Sequence, residues 1–209
     1  MGKKIGLAVI AVLLVLAVVI ALQPGEFRIE RSAVMKAPSD IVFAQINNLH
    51  NWQNWSPWEG LDPNLKRTYS GPESGAGAQY AWEGNDDVGA GRMTITESKP
   101  GAHVGIRLEF LKPFEATNQT DFNLLPAEDG TQVTWAMRGE NNFVSKAFGL
   151  VMNMDAMIGK DFEKGLASLK KVSETEAIRQ AEETANIAAA DDATAPTAAA
   201  VESRERKAD

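Results

Sequence analysis

The chain has no cysteine. That excludes disulfides, thiol nucleophiles and thiolate metal sites. Histidine is scarce, with only His50 and His103. No His-x-x-x-His spacing exists, so an imidazole metal site would need carboxylates to complete it. No metal and no cofactor is expected. A basic stripe is also missing: the net charge is −7 and the pI near 5.0. Nucleic-acid binding needs a positive footprint that displaces counterions, so nucleic acid is not an expected partner.

What the chain does have begins at its N-terminus. Ile5 to Leu22 carries no charged side chain. As a helix, those residues would extend about 27 Å, close to the ~30 Å hydrocarbon core of a bilayer. Lys3 and Lys4 precede the run and Gln23-Pro24-Gly25 ends it. The run is longer than a signal-peptide core, which favours an uncleaved anchor over a cleaved leader, although Val19-Ile20-Ala21 resembles a cleavage site. Lys3 and Lys4 favour the cytoplasmic side. The expected location is therefore a cell inner membrane, single-pass, with the domain facing the periplasm. Arg28, Arg31 and Lys36 soon after the run weaken that charge contrast.

Residues 49–58, Leu-His-Asn-Trp-Gln-Asn-Trp-Ser-Pro-Trp, hold three of the five tryptophans. A strand is predicted before them, from Phe27 to Ala37, on an alternation too irregular to say which face Arg31 takes. Pro38 and Asp40 suit the first turn of a short helix carrying Ile41, Val42, Ala44 and Ile46. Six further strands follow, divided by turn residues. They are Lys66–Ser70, Ala76–Glu83, Gly89–Lys99, His103–Leu111, Glu115–Leu125 and Thr131–Arg138. Short connections imply antiparallel neighbours. The apolar period then changes: Val151, Met154, Ile158, Phe162, Leu166, Leu169 and Val172 mark one face of a long helix. Gly159 and Gly165 lie within it; Gly165 falls on the apolar stripe, where it either admits a neighbouring backbone or leaves space beneath the helix. From about Thr175 the residues read as a frayed helix end, and then a disordered tail with too few large apolar residues to form a core.

This order of elements, with Val34-Met-Lys-Ala-Pro38, Ile41-Val-Phe43, Trp52-Gln-Asn-Trp55-Ser-Pro57 and Gly159-Lys-Asp-Phe-Glu-Lys-Gly-Leu166, resembles the START-like helix-grip superfamily (SRPBCC), in its polyketide cyclase/dehydrase-like branch. The likeness covers about residues 27–173. It implies an α+β helix-grip fold: a curved antiparallel seven-stranded sheet wrapped around a long C-terminal helix, with two short helices after the first strand. The expected organisation is a cytoplasmic N-terminus at 1–4, a transmembrane anchor at 5–23, a START-like domain at 24–174, and a polar helical extension with a disordered tail at 175–209. Such a family implies binding of lipids, sterols or polyketides, and in some members cyclase activity.

Strand alternation predicts which side chains face the helix. Tyr80 and Trp82 on the third strand, Met93 on the fourth, Phe110 on the fifth and Trp135 on the seventh point inward. His103, Glu83, Arg92, Arg107, Glu109 and Arg138 point outward. Met154, Ile158 and Phe162 come from the helix. Asn118 and Thr120 share parity with Phe122 and Leu124. They either orient a ligand's polar end or, the favoured reading, lie past the sheet's rim in water. Trp52, Trp55 and Trp58 either form an aromatic lip or, preferably, pack the short helices on the sheet. Met152, Met154 and Met157 offer an adaptable ligand surface, although ordinary core is the favoured reading of Met154.

No inward strand position supplies an obvious general acid or base, so no catalytic residue is named. The expected function is a membrane-anchored carrier or sensor of a lipid or other hydrophobic small molecule, with no protein partner identified. A cyclase/dehydratase-like enzyme is one alternative, to be revived by Arg31, Glu83 or Arg92 buried at a pocket. A protein-interaction module with a filled core is another. A carrier requires an unfilled hollow between sheet and helix. Solid packing by Trp82, Trp135 and Phe162 would leave only a tethered scaffold.

Overall fold

A computed structural model describes the backbone of residues 2–194 and the side chains of residues 3–190. Helix α1 (Gly2–Ala21) leads into strand β1 (Glu26–Met35). Helix α2 (Ser39–Asn47) and a 3-10 helix (Leu49–Asn54) follow. Then come β2 (Lys66–Ser70), β3 (Gln79–Glu83), β4 (Ala90–Lys99), β5 (His103–Lys112), β6 (Ala116–Ala127) and β7 (Gly130–Glu140). Helix α3 (Phe143–Gly149) and helix α4 (Met154–Thr194) close the described chain.

All seven strands form one sheet in the order β1-β7-β6-β5-β4-β3-β2, each pair antiparallel. Consecutive strands pair wherever a short turn joins them, and β1 closes onto β7 across the length of the domain. Register shifts between Ala90 and Gly91 and between Ile95 and Glu97 insert the local irregularity that lets a sheet bend. The sheet curves about α2, the 3-10 helix and the first half of α4, giving the α+β helix-grip fold.

Pairing places the inward side chains in rows. One row runs Ile29, Met137, Thr120, Ile106, Ile95, and a deeper one runs Trp135, Phe122, Val104. Arg31 pairs with Trp135 and so faces inward too. The expected outward residues lie on the other surface: Arg92 bonds Glu109, Lys112 bonds Glu83, and His103 bonds Asn123.

Local signals explain the helix ends. Pro38 sits one residue before α2, and its carbonyl accepts from Val42 N–H at 3.2 Å. Asn48 caps the 3-10 helix by accepting from His50 N–H at 2.9 Å. Asn142 does the same for α3, accepting from Ser145 N–H at 2.8 Å, as N-cap side chains commonly do. Asn153 accepts from Ala156 N–H at 2.9 Å at the start of α4.

Two elements differ from the sequence expectation. Helix α3 stands where no element was expected, and α4 continues without a break to Thr194 rather than fraying from Thr175. Alanine, glutamate, glutamine and arginine are strong helix formers. Arg179 ties to Glu176 and Glu183, and Gln180 to Glu176, one turn apart; such pairs support an exposed helix. The part of the expected disordered tail beyond residue 194 lies outside the described residues. Helix α1 is long and apolar enough to cross a bilayer, and among its described side chains only Ile20 is buried.

Candidate functional site

The interior of the cup divides into two halves with different packing. In the deep half Trp135 lies flat on Phe162, ring centroids 4.1 Å apart and 7° from parallel. Phe122 stacks on Trp135 at 4.9 Å. Trp55 and Trp58 meet Trp135 edge-on at 5.7 Å, and Trp52 at 6.3 Å. These arrangements suit the ring quadrupoles. The tryptophans of the 49–58 cluster thus pack the short helices on the sheet. Trp52 Nε1 donates to Ile46 O at 2.9 Å and Trp55 Nε1 to Gln45 O at 3.1 Å.

Gly165 is the seat of this cluster. A Cβ there would come within 2.7 Å of Trp135 Cζ3 and 3.1 Å of Pro57 Cδ. The glycine admits neighbouring side chains rather than leaving space. The expected hollow between helix and sheet is therefore corrected in the deep half: Trp135 and Phe162 occupy it themselves. Their size explains this, since each aromatic ring removes more surface from water by stacking than by lining a void. A recess of about 300 Å³ lies elsewhere, beside edge strand β2, where His50 stacks on Tyr69 at 3.9 Å.

The second half lies toward the end of the cup where β2 and β4 begin and β3 and β5 finish. Trp82, Leu108, Phe110 and Ile158 are only half-buried there, while Met93 and Tyr80 are buried beneath. Trp82 meets Phe110 edge-on at 6.0 Å and stacks on Tyr80 at 6.0 Å. Its ring lies over Gly91, where a Cβ would approach within 2.5 Å, so this glycine lets an indole rest flat on the sheet. Helix α4 runs along β1 and α2, which leaves this part of the concave face less covered.

Asn118 and Thr120 sit inside, at 8% and 5% exposure. The reading that put them in water past the rim is corrected: β6 begins at Ala116, so both fall within the paired sheet. The Asn118 amide donates to Met137 Sδ at 3.8 Å, a weak acceptor. Met154 is 43% exposed, so it stands at the opening rather than in the core. Met157 is likewise exposed. Of the ten candidates, Trp82, Phe110 and Ile158 are half-buried toward this second half, Tyr80, Met93, Asn118 and Thr120 are buried, and Met154 is exposed at the start of α4. Trp135 and Phe162 belong to the filled half.

Charged groups reach this interior at two places. Arg31 passes beneath α4 at Gly159. It donates from Nε to Glu163 Oε1 at 2.9 Å and from Nη2 to Asp155 Oδ2 at 3.0 Å. These hydrogen bonds hold the Asp155 carboxyl below its ordinary range and Arg31 above its own. The arginine thus fastens the start of α4 to β1.

Sequence reasoning missed the other group, Glu59. It accepts from Tyr80 Oη at 2.7 Å and from Arg67 Nε at 2.7 Å, with its side chain 9% exposed. Burial, then the Glu59 hydrogen bond and its negative charge, push the Tyr80 phenol well up, so it stays protonated as a donor. Glu59 lies in an irregular segment, where neither periodicity nor a motif marks it. Glu83 and Arg92 stay on the outer surface with their partners Lys112 and Glu109.

Comparison with known proteins fits this architecture. A Staphylococcus aureus protein of unknown function superposes with a TM-score of 0.54 at 13% identity, over 74% of this chain and 98% of that one. The Aha1 dimer from Colwellia psychrerythraea gives 0.51 at 16% identity, over 71% and 96%. The di-domain ARO/CYC StfQ, from the steffimycin biosynthetic pathway, gives 0.54 at 9% identity, over 73% of this chain and 52% of that one. At such identities the likeness is one of fold. No curated protein matches the sequence. The sequence itself matches the family described as "Polyketide cyclase / dehydrase and lipid transport" over residues 26–174, and the chain belongs to that family.

Proposed function

We propose that this protein is a membrane-anchored carrier or sensor that holds an apolar small molecule or lipid in the partly open half of the cup. One observation carries the reading: Trp82, Leu108, Phe110 and Ile158 remain half-buried, and Asn118, paired across from Leu108, has a weakly accepting sulfur as its amide's partner. Apolar walls with one or two placed polar groups are the usual composition of a small-molecule site. The family description, which includes lipid transport, supports the same ligand class. Helix α1, through residues 5–22, supplies the membrane attachment in this reading, with the domain on the periplasmic side of a cell inner membrane.

A non-catalytic role is favoured because Glu59, the carboxylate that meets Tyr80, is already held by Arg67 and Tyr80. Acid–base work needs a titratable group free to reach the substrate. The cyclase-like alternative would have to use that cluster.

The test is binding by the detergent-purified full chain. Mass spectrometry would identify retained lipid, and a fluorescent fatty acid and a polyaromatic probe would titrate the site. Trp82→Ala should weaken probe binding about tenfold, the equivalent of ~1.4 kcal/mol, and should also lower the unfolding midpoint, because the ring packs on Tyr80 and Phe110. Asn118→Leu should alter selectivity for probes with a polar end. A chain that emerges empty and binds neither probe overturns the reading. It would favour a protein-interaction module instead, for which the filled deep half already speaks.

A further inference from the structure

We infer that α3 and the turn after it form a lipid-facing surface, which lays the mouth of the cup against the same bilayer that α1 enters. This rests on the reading of α1 as a membrane span. The observation is a patch of exposed apolar side chains in one short stretch: Phe143, Val144, Phe148, Leu150, Val151 and Met152, with Val151 82% and Phe143 56% exposed. A domain surrounded by water rarely displays so many together, and a contiguous patch of this kind marks a surface that something covers.

The end of α1 indicates what covers it. Lys146, within α3, donates from Nζ to the carbonyl of Ala21 at 3.3 Å. Ala21 is the last residue of α1, so the lysine satisfies one of the carbonyls a helix leaves free at its C-terminus. Asn141 donates from Nδ2 to Pro24 O at 3.3 Å and from its backbone to Gly25 O at 2.8 Å. Ile20 is buried although the rest of the described span is not. Helix α3 is thus fastened beside the point where the apolar run stops. Residues 22–25 are too few to carry the domain far away, since an extended chain gains at most ~3.6 Å per residue. If α1 spans, the depth of Ala21 is the bilayer interface, and α3 lies at that depth.

The cup opens at the same end. Antiparallel pairing sets the start of β1 beside the end of β7 (Glu26 with Glu140), the start of β6 near that end (Asn118 with Gly139), and the end of β5 beside the start of β4 (Lys112 with Ala90). The β5–β6 turn there exposes Leu111 and Phe114. At the far corner of that end the β3–β4 turn carries exposed Asp86 and Asp87. Charges resist entry into the interface, so the docked side is the β1–β7 side with α3, and the acidic corner is tilted away. An apolar molecule would then pass between bilayer and cup with little exposure to water.

The absence of cysteine permits a direct experiment on the full chain. Single substitutions Val12→Cys, Phe148→Cys, Val151→Cys and Glu128→Cys are labelled with bimane and reconstituted into phosphatidylcholine–phosphatidylglycerol vesicles. Glu128 lies in the turn between β6 and β7, at the opposite end of the domain. A lipid-borne nitroxide should quench the labels at 12, 148 and 151 by roughly twofold or more, as for an interfacial segment. The label at 128 should respond only to aqueous iodide. Quenching at 12 with iodide-accessible labels at 148 and 151 overturns the docking while the anchor stands. No lipid quenching at 12 removes the anchor and the docking together. Labels at 148 and 151 shielded from both quenchers mean that protein, not lipid, covers the patch, and this too overturns the inference.

Discussion

Gly159 and Gly165 share a helix but admit different neighbours. At Gly165 a Cβ would press on Trp135 and Pro57, both fixed in the aromatic cluster. Gly165→Ala should therefore destabilise the domain by about 1–3 kcal/mol through overpacking, more than the ~1 kcal/mol of helix propensity it gains. At Gly159 the neighbour is the guanidinium of Arg31, the movable end of a long side chain. Gly159→Ala should be much milder, and urea unfolding midpoints of the two variants compare them directly. The sequence placed both glycines in the helix and Gly165 on its apolar stripe, but could not name their neighbours. Arg31 and Trp135 belong to strands far away in the chain, brought under α4 only by the pairing of β1 with β7. Trp135 is also the residue whose surroundings most changed its role. Its buried indole N–H has no acceptor among the described residues, a cost of roughly 1–3 kcal/mol that the surrounding ring contacts must offset.

The long helix behaves as two segments. From Phe162 to Leu169 its apolar stripe is buried against β1, α2 and the aromatic cluster. The stretch from Gln180 to Ala190 is exposed throughout, so it relies on propensity and side-chain pairs. Arg179 and then Gln180 hydrogen-bond the Glu176 carboxylate and lower its pKa to about 2. A carboxylate lowered on folding stabilises the helix above its unfolded pKa of roughly 4.3 and loses that effect as pH falls through the folded value. Circular dichroism at 222 nm should hold near pH 5 and decline toward pH 2, and Glu176→Gln should flatten that dependence. The apolar part of α4 was legible because its 3.6-residue period is strong. The exposed part was not, since its polar composition is shared by helices and by disordered tails. Helix α3 left a readable signal in Asn142, an N-cap three residues before Ser145, but its apolar residues continue into the turn and blur its end.

At the scale of the whole molecule, the N-terminal helix and the folded domain are coupled at one small junction. Because Ile20 is the only buried residue among the described side chains of α1, deleting residues 1–23 should shift the thermal midpoint by no more than about 2–4 °C, as calorimetry of the truncated chain would report. A larger loss would mean that α1 contributes to the core. Under the proposed anchoring through α1, the same deletion should remove most vesicle association. The division of the cup has a comparable origin. Helix α4 lies over the β1 side, and the aromatic cluster fills the space below it. The sheet continues to β2 beyond the reach of the helix, and its inner face there stays partly open.

The sequence by itself determined the helix-grip order, the seven strands, the inward faces of most of them and the membrane-length run. Each is written in local periods and turn residues, which act over a few positions. Only the tertiary structure decided that Trp135 and Phe162 fill the deep half and that Asn118 and Thr120 lie inside. It also brought Arg31 beneath Gly159, joined Glu59 to Arg67 and Tyr80, and set α3 beside the end of α1. Those outcomes depend on side-chain volumes and on contacts between residues distant in the chain, and neither leaves a periodic trace.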